Sequence, residues 1–151
     1  TNLYGPGDVF TEYRSHVVAA LIKKFADATL EGRSEVVLWG TGAPIREFLH
    51  VEDAADAIAH CALSDFEGVV NIGTGVGTTI KELAELVREF TGFQGALVWD
   101  ADKPDGVMRK VLDVSRMRDD LGWAPTFDLR RGLEQTIGWY LANKDTADAR
   151  G

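Results

Sequence analysis

Apolar positions recur along this chain in two rhythms, one helical and one of short unbroken runs. Val17, Val18, Leu21, Ile22 and Phe25 share one face of a helix, with Ser15 as predicted N-cap and Gly32 with its polar neighbours as the stop. Val36 to Trp39 predicts a short buried strand. The apolar stretch after it closes on Asp53, where a helix carrying Ala54, Ala57, Ile58 and Cys61 is expected to start. Val69-Val70-Asn71-Ile72 predicts another strand, and Gly73-Thr74-Gly75-Val76-Gly77 the turn that leaves it. Thr79 and Glu82 have capping-box spacing ahead of Leu83, Leu86, Val87 and Phe90, with Gly92 as the stop. Leu97 to Trp99 predicts a third strand, Ser115 to Leu121 a short helix ended by Gly122, and Asp128 the cap of a last helix through Leu129, Leu133, Ile137 and Leu141. The opening from Thr1 to Tyr13 is turn-rich, and from Lys144 onward the chain is polar and expected to fray. Short strands alternating with helices point to α/β or α+β architecture.

The 151 residues suit one domain, expected over 1–143 with a polar tail at 144–151. Apolar content of 45% and charged content of 26% are those of a soluble globular protein. No apolar run is long enough for a membrane helix, and no charged-then-apolar leader opens the chain, so neither membrane nor secretion is expected. The lone Cys61 forms no internal disulfide and reads as a buried, inert thiol in a reducing cytoplasm. The chain opens on Thr1, not methionine, and is read as a fragment, a processed product or a truncated chain.

A net charge of −8 argues against nucleic acid as the main partner. An anionic ligand would need a local positive cluster, for which the first third offers Lys23, Lys24, Arg33 and Arg46. Trp39 and Arg46 supply a flat stacking face and a fixed cation, suited to a ligand with a ring and a phosphate; a strand, a turn and a surface arginine is the competing reading. His16 follows the predicted cap, where the helix dipole favours a neutral ring able to exchange a proton, against a capped-helix histidine with no role. Lys24 lies roughly 12 Å further along that helix. The glycine run at 73–77 reads G-x-G-x-G, a turn rather than a dinucleotide fingerprint. Tyr140 and Lys144 have Y-x-x-x-K spacing but fall beside the tail, which makes coincidence the better reading. His16, His50 and His60 are scattered, so no metal site is expected.

The order of motifs carries more. Asn2-Leu3-Tyr4-Gly5-Pro6, Ser15-His16-Val17, Trp39-Gly40-Thr41-Gly42, Arg46-Glu47-Phe48-Leu49-His50-Val51-Glu52-Asp53, Asn71-Ile72-Gly73-Thr74-Gly75, Lys103-Pro104-Asp105-Gly106, Arg109-Lys110, Leu112-Asp113-Val114 and Leu121-Gly122-Trp123 follow in that sequence. This resembles the C-terminal half of the extended short-chain dehydrogenase/reductases, the NAD(P)-dependent nucleotide-sugar epimerases and dehydratases, and within them the GDP-L-fucose synthase branch. The resemblance implies an α/β fold: the substrate-binding C-terminal part of such an enzyme, with the N-terminal Rossmann core missing. It implies 3,5-epimerisation of GDP-4-dehydro-6-deoxy-D-mannose followed by NADPH-dependent reduction at C4. By the same resemblance Asn2 and Leu3 line the NADP site, His16 is the epimerisation acid working with a cysteine, and Lys24, Trp39, Arg46 and Asp105 contact the GDP-sugar. Val9, Thr11, Glu12 and Met108 depart from the family pattern. The family's cofactor loop, catalytic serine and properly placed Y-x-x-x-K are not found here, so this chain alone is expected neither to bind NADPH well nor to turn over. Apolar surface at Val36–Leu38 and Val69–Ile72, uncovered without the larger sheet, is expected to make it a homodimer. Another nucleotide-sugar enzyme of the same superfamily and a non-catalytic binding module are the alternatives.

Overall fold

The computed structural model describes residues 1–11 and 14–149. Glu12 and Tyr13 of the turn-rich opening, and Arg150 and Gly151 of the tail, lie outside the described residues. The fold is mixed α/β, as expected.

β1 (Asn2–Tyr4) leads through turns to α1 (Val17–Leu30). The apolar stripe places Val18, Leu21, Ile22 and Phe25 in the core, but the N-cap is His16, not Ser15. The Ser15 hydroxyl is engaged instead with Thr11, whose N–H donates to it at 2.6 Å while it donates to the Thr11 carbonyl. β2 (Glu35–Trp39) follows, then β3 (Ile45–Arg46) and β4 (Phe48–His50), and α2 (Val51–Leu63) begins directly on β4. Its cap is His50, so Asp53 sits inside the first turn rather than ahead of it. Cys61 near the end of α2 is half-buried rather than enclosed.

β5 (Thr78–Thr79) runs into α3 (Ile80–Thr91), with the predicted capping box in place and Gly92 closing the helix at φ 70°. β6 (Ala96–Asp100), β7 (Arg109–Lys110) and α4 (Ser115–Asp119) precede α5 (Leu129–Ala142), which Asp128 caps. The strands form three small sheets: β1 parallel to β4, β2 parallel to β6, and β3 between antiparallel β5 and parallel β7. One core gathers Phe10 from the segment before α1, Ile22 and Phe25 of α1, Val36 and Leu38 of β2, Leu83 and Val87 of α3, and Leu133 and Ile137 of α5. A second joins Leu49, Ala54 and Ala57 to Met117, Leu121 and Trp123.

Two expectations fail, each for a physical reason. Val69–Ile72 makes no strand. Val70 and Ile72 turn toward the second core, but side chains rather than a neighbouring strand serve this backbone: Arg116 Nη1 donates to the Val69 carbonyl at 2.5 Å, and Asn71 Nδ2 to that of Asp113 at 3.0 Å. Nor are Val36 and Leu38 uncovered, since both point into the first core; Val37 is the exposed member of the run. The polar tail, in turn, begins as a further helix, α6 (Lys144–Asp148). Ala147 is buried, Lys144 bridges Asp27 at 2.7 Å and Asp148 at 2.5 Å, and Lys23 bridges the same two carboxylates at 3.1 and 3.0 Å. Like charges that would repel in isolation are interleaved here between α1 and α6.

Candidate functional site

Trp39 ends β2 with its indole on the solvent face, 72% exposed. The chain then turns at Gly40, where φ is 78° and a Cβ would come within 2.3 Å of Asp105 Oδ1. That close approach lets Asp105 strap the turn. Its Oδ1 accepts from the Thr41 N–H at 2.7 Å and its Oδ2 from the Thr41 hydroxyl at 2.6 Å. The Thr41 hydroxyl, then its N–H, holds the Asp105 carboxyl below the usual carboxylate range. The Lys103 ammonium lies 5.9 Å from the centre of the Trp39 ring.

Beyond Asp105 the chain runs into β7, which lies beside β3, and the Ile45 N–H of β3 donates to the Met108 carbonyl at 2.8 Å. Arg46 lies there in register with Thr78 on one side and Lys110 on the other. On the far side of Trp39, Lys24 Nζ donates to the Val37 carbonyl at 2.8 Å and so covers part of the free edge of β2. Lys24, Trp39, Asp105 and Arg46, spread over three elements and a loop, are thus joined by a short series of contacts. His16, exposed at the head of α1, makes no hydrogen bond or ion pair with them among the described residues.

Two of the expected cations belong elsewhere: Lys23 is bound to Asp27 and Asp148, and Arg33 to Glu31. The positive charge beside Arg46 comes instead from Arg109 and Lys110 on β7. An adjacent Arg-Lys pair in a chain of charge −8 was the available signal, though nothing local says it will lie against Arg46.

Sequence reasoning also passed over Glu47, between Arg46 and Phe48. It is 1% exposed. Its Oε1 accepts from the Thr74 N–H and its Oε2 from the Leu112 N–H, both at 2.7 Å, while its carbonyl accepts from Asn2 N and Nδ2 at 3.1 and 2.9 Å. One residue therefore ties β1, the glycine run and the end of β7 to the strand that carries Arg46. Gly73 is the counterpart of this node, because a Cβ there would stand 1.9 Å from Glu47 Oε1. Asp53 does similar work for the entry to α5, accepting from Thr126 and Phe127 at 2.8 to 3.0 Å.

His50 is as deeply buried as Glu47, stacked on Phe127 at 4.1 Å and edge-on to Tyr4 at 5.4 Å. Its Nδ1 accepts from the Glu52 N–H at 3.4 Å, which leaves the ring proton on Nε2, an atom with no partner among the described residues. Burial pushes the imidazole below its ordinary value of 6.5, with Arg131 acting in the same direction and Glu52 and Asp53 opposing. The folded state thus favours the neutral ring. This contribution to stability is complete above the unfolded value and is lost as the pH falls through the window below it. Urea unfolding between about pH 7.5 and 5.5 is expected to show stability falling with acidification. The slope is expected to flatten in His50→Asn, whose side-chain oxygen can still accept from Glu52; an unchanged slope would show that another group titrates.

On the expected cofactor side, the Asn2 amide is committed to Glu47 and Leu3 is half exposed on β1. At the head of α3, Glu82 Oε2 accepts from the Thr79 N–H at 2.8 Å and its hydroxyl at 2.7 Å. The N-terminus of α3 is thus capped by its own carboxylate. Tyr140 and Lys144 are structural, as their position suggested. The phenol is buried and donates to Asp148 Oδ1 at 2.9 Å, and burial together with that bond pushes it up to about 12, away from the range of a proton donor. Among the described residues no cluster suited to a metal ion occurs, and no helix is long and apolar enough to cross a membrane.

Residues 1–73 match the NAD dependent epimerase/dehydratase family. The chain is 54% identical over 145 residues to GDP-L-fucose synthase 1 of Arabidopsis thaliana, an alignment that takes in 95% of this chain and 44% of that protein. Against GDP-L-fucose synthase of Escherichia coli K12 the identity is 44% over 155 residues, covering 96% and 48%. A GDP-L-fucose synthetase from Naegleria fowleri superposes with a TM-score of 0.91 at 26% identity, over 98% of this chain and 46% of that one. The NADP-bound form of the same protein superposes at 0.86, over 97% and 46%. The chain spans about half the length of these relatives. The motif order, the fold and these likenesses agree: over nearly its whole length the chain is similar to one half of the GDP-L-fucose synthases, and its residues 1–73 match the NAD dependent epimerase/dehydratase family.

Proposed function

We propose that this chain forms the GDP-sugar-binding part of a GDP-L-fucose synthase-like enzyme, which epimerises C3 and C5 of GDP-4-dehydro-6-deoxy-D-mannose and reduces C4 with NADPH. The observation that carries this reading is the grouping of an exposed Trp39 with a strapped turn and the cations of β3 and β7, in a chain otherwise acidic. Trp39 stacks the base, while Arg46 and Lys24 hold the diphosphate, supported by Lys110. Asp105 acts by fixing the turn beside Trp39, and its own contact to the sugar nucleotide is made from that strapped position. His16 exchanges the proton of the epimerisation with a cysteine supplied from outside this chain. NADP is held mainly by residues outside this chain as well, with Asn2 and Leu3 at the edge of its site, so the chain by itself does not turn over. A cytoplasmic homodimer completes the reading, and the exposed Ile58, Leu63 and Val69 offer apolar surface to a second copy.

Isothermal titration tests it. GDP is expected to bind the chain one to one and at least ten-fold more tightly than UDP or dTDP, with no stoichiometric heat from NADPH. Equal affinity for the three diphosphates would move the chain to another nucleotide-sugar branch. Tight NADPH binding would overturn the assignment of the cofactor to residues outside it.

A further inference from the structure

The outer face of the β2–β6 pair carries a feature that the stacking role of Trp39 does not use. Trp39 is in register with Asp100, the last residue of β6. Register partners in a sheet project to the same side, on strands about 4.8 Å apart. The exposed indole and the Asp100 carboxylate therefore stand side by side on the solvent face, in line with the outward positions of Val37 and Val98. Three carboxylates lie near Trp39, and they differ in what they have left to offer. Each oxygen of Asp105 already accepts a short bond from Thr41, at 2.7 and 2.6 Å. Asp102 lies past the end of the strand, in the turn. Asp100 accepts one long bond on Oδ1, from the Asp102 N–H at 3.3 Å, and among the described residues Oδ2 accepts none.

A base stacked on Trp39 would present its edge to that carboxylate. Guanine offers two adjacent donors there, the N1–H and the exocyclic N2 amine, which match the two oxygens of a carboxylate. Hypoxanthine keeps N1–H and lacks the amine. Uracil sets its single N–H between two carbonyl acceptors, which a carboxylate repels, and adenine presents a lone pair at N1. We propose that Asp100 is the residue that selects guanine, reading the N1–H and N2 amine of the base stacked on Trp39. This rests on the GDP-sugar reading above and specifies how that site tells one nucleoside diphosphate from another.

The test titrates the chain, Asp100→Ala and Asp100→Asn with GDP, inosine diphosphate and UDP, following each fold by its thermal midpoint. The native chain is expected to prefer GDP over inosine diphosphate by about ten-fold, the loss of one charge-assisted hydrogen bond. In Asp100→Ala that ratio falls toward one while the weak affinity for UDP stays within about two-fold. Asp100→Asn, of the same shape, also loses GDP affinity, because its amide turns a donor toward the donors of the base. A GDP preference that survives in the alanine variant, or a native chain that does not separate GDP from inosine diphosphate, overturns the role of Asp100 and leaves the GDP site standing. A native chain that binds no nucleoside diphosphate overturns the site itself.

Discussion

Replacing Glu47 by alanine is expected to lower the unfolding free energy by about 2–4 kcal/mol, a large share of the 5–15 kcal/mol typical of a domain. The carboxylate is buried and its two oxygens satisfy backbone donors at Thr74 and Leu112. Alanine would leave both N–H groups without a partner where water has little access, and each such orphan costs about 1–3 kcal/mol. Glutamine separates this cause from simple loss of volume. It keeps one oxygen, so one donor stays satisfied while the other meets an amide N–H, and the loss should fall between wild type and alanine. Urea denaturation at neutral pH measures all three, and an alanine variant as stable as the native chain would show that these two bonds are not the node they form in the structure.

Arg46→Ala is expected to act the other way round, sparing the fold and removing binding. Among the described residues the guanidinium makes its hydrogen bond to the neighbouring Ile45 carbonyl, at 2.9 Å, and holds no distant segment in place. A charge-assisted contact to phosphate is worth about 1.5–3 kcal/mol, so the affinity for GDP should fall roughly 10- to 100-fold with little change in thermal midpoint. The difference between native and variant should shrink as salt is raised. Arg33→Ala is the control, since that guanidinium pairs with Glu31 at 2.5 Å and should leave GDP binding unchanged. If Arg46→Ala bound GDP as the native chain does, the diphosphate could not lie along β3.

The helix ends were readable because their chemistry is local. Thr79 and Glu82 are three residues apart and close their box within one turn, Asp128 reaches only to Arg131, and Gly92 supplies a backbone angle that needs no distant partner. Where a residue's partner lies elsewhere in the chain, the pattern misleads. Ser15 has the right chemistry for a cap and spends it on Thr11. Val69–Ile72 has the composition of a strand, but a strand exists only with a neighbour, and here Arg116 and Asn71 serve the backbone instead. The site divides along the same line. Trp39 and Arg46 stood out by residue type. Glu47 looked like an ordinary charge in a mixed run, because its partners are 27 and 65 residues away. Arg109 and Lys110 gain meaning only once β7 is laid beside β3.

The interleaved charges of α1 and α6 bear on how the molecule can be handled. Lys144 and Asp148 neutralise Asp27 and Lys23, and Asp148 also receives the buried Tyr140 hydroxyl. Trimming the polar end to obtain a tidier sample would strip these partners from α1 and strand a phenol in the core. A fusion joined at Asn143 would do the same. A junction for a tag or a fluorescent label belongs beyond Asp148, which among the described residues is the last charge that α1 and Tyr140 depend on.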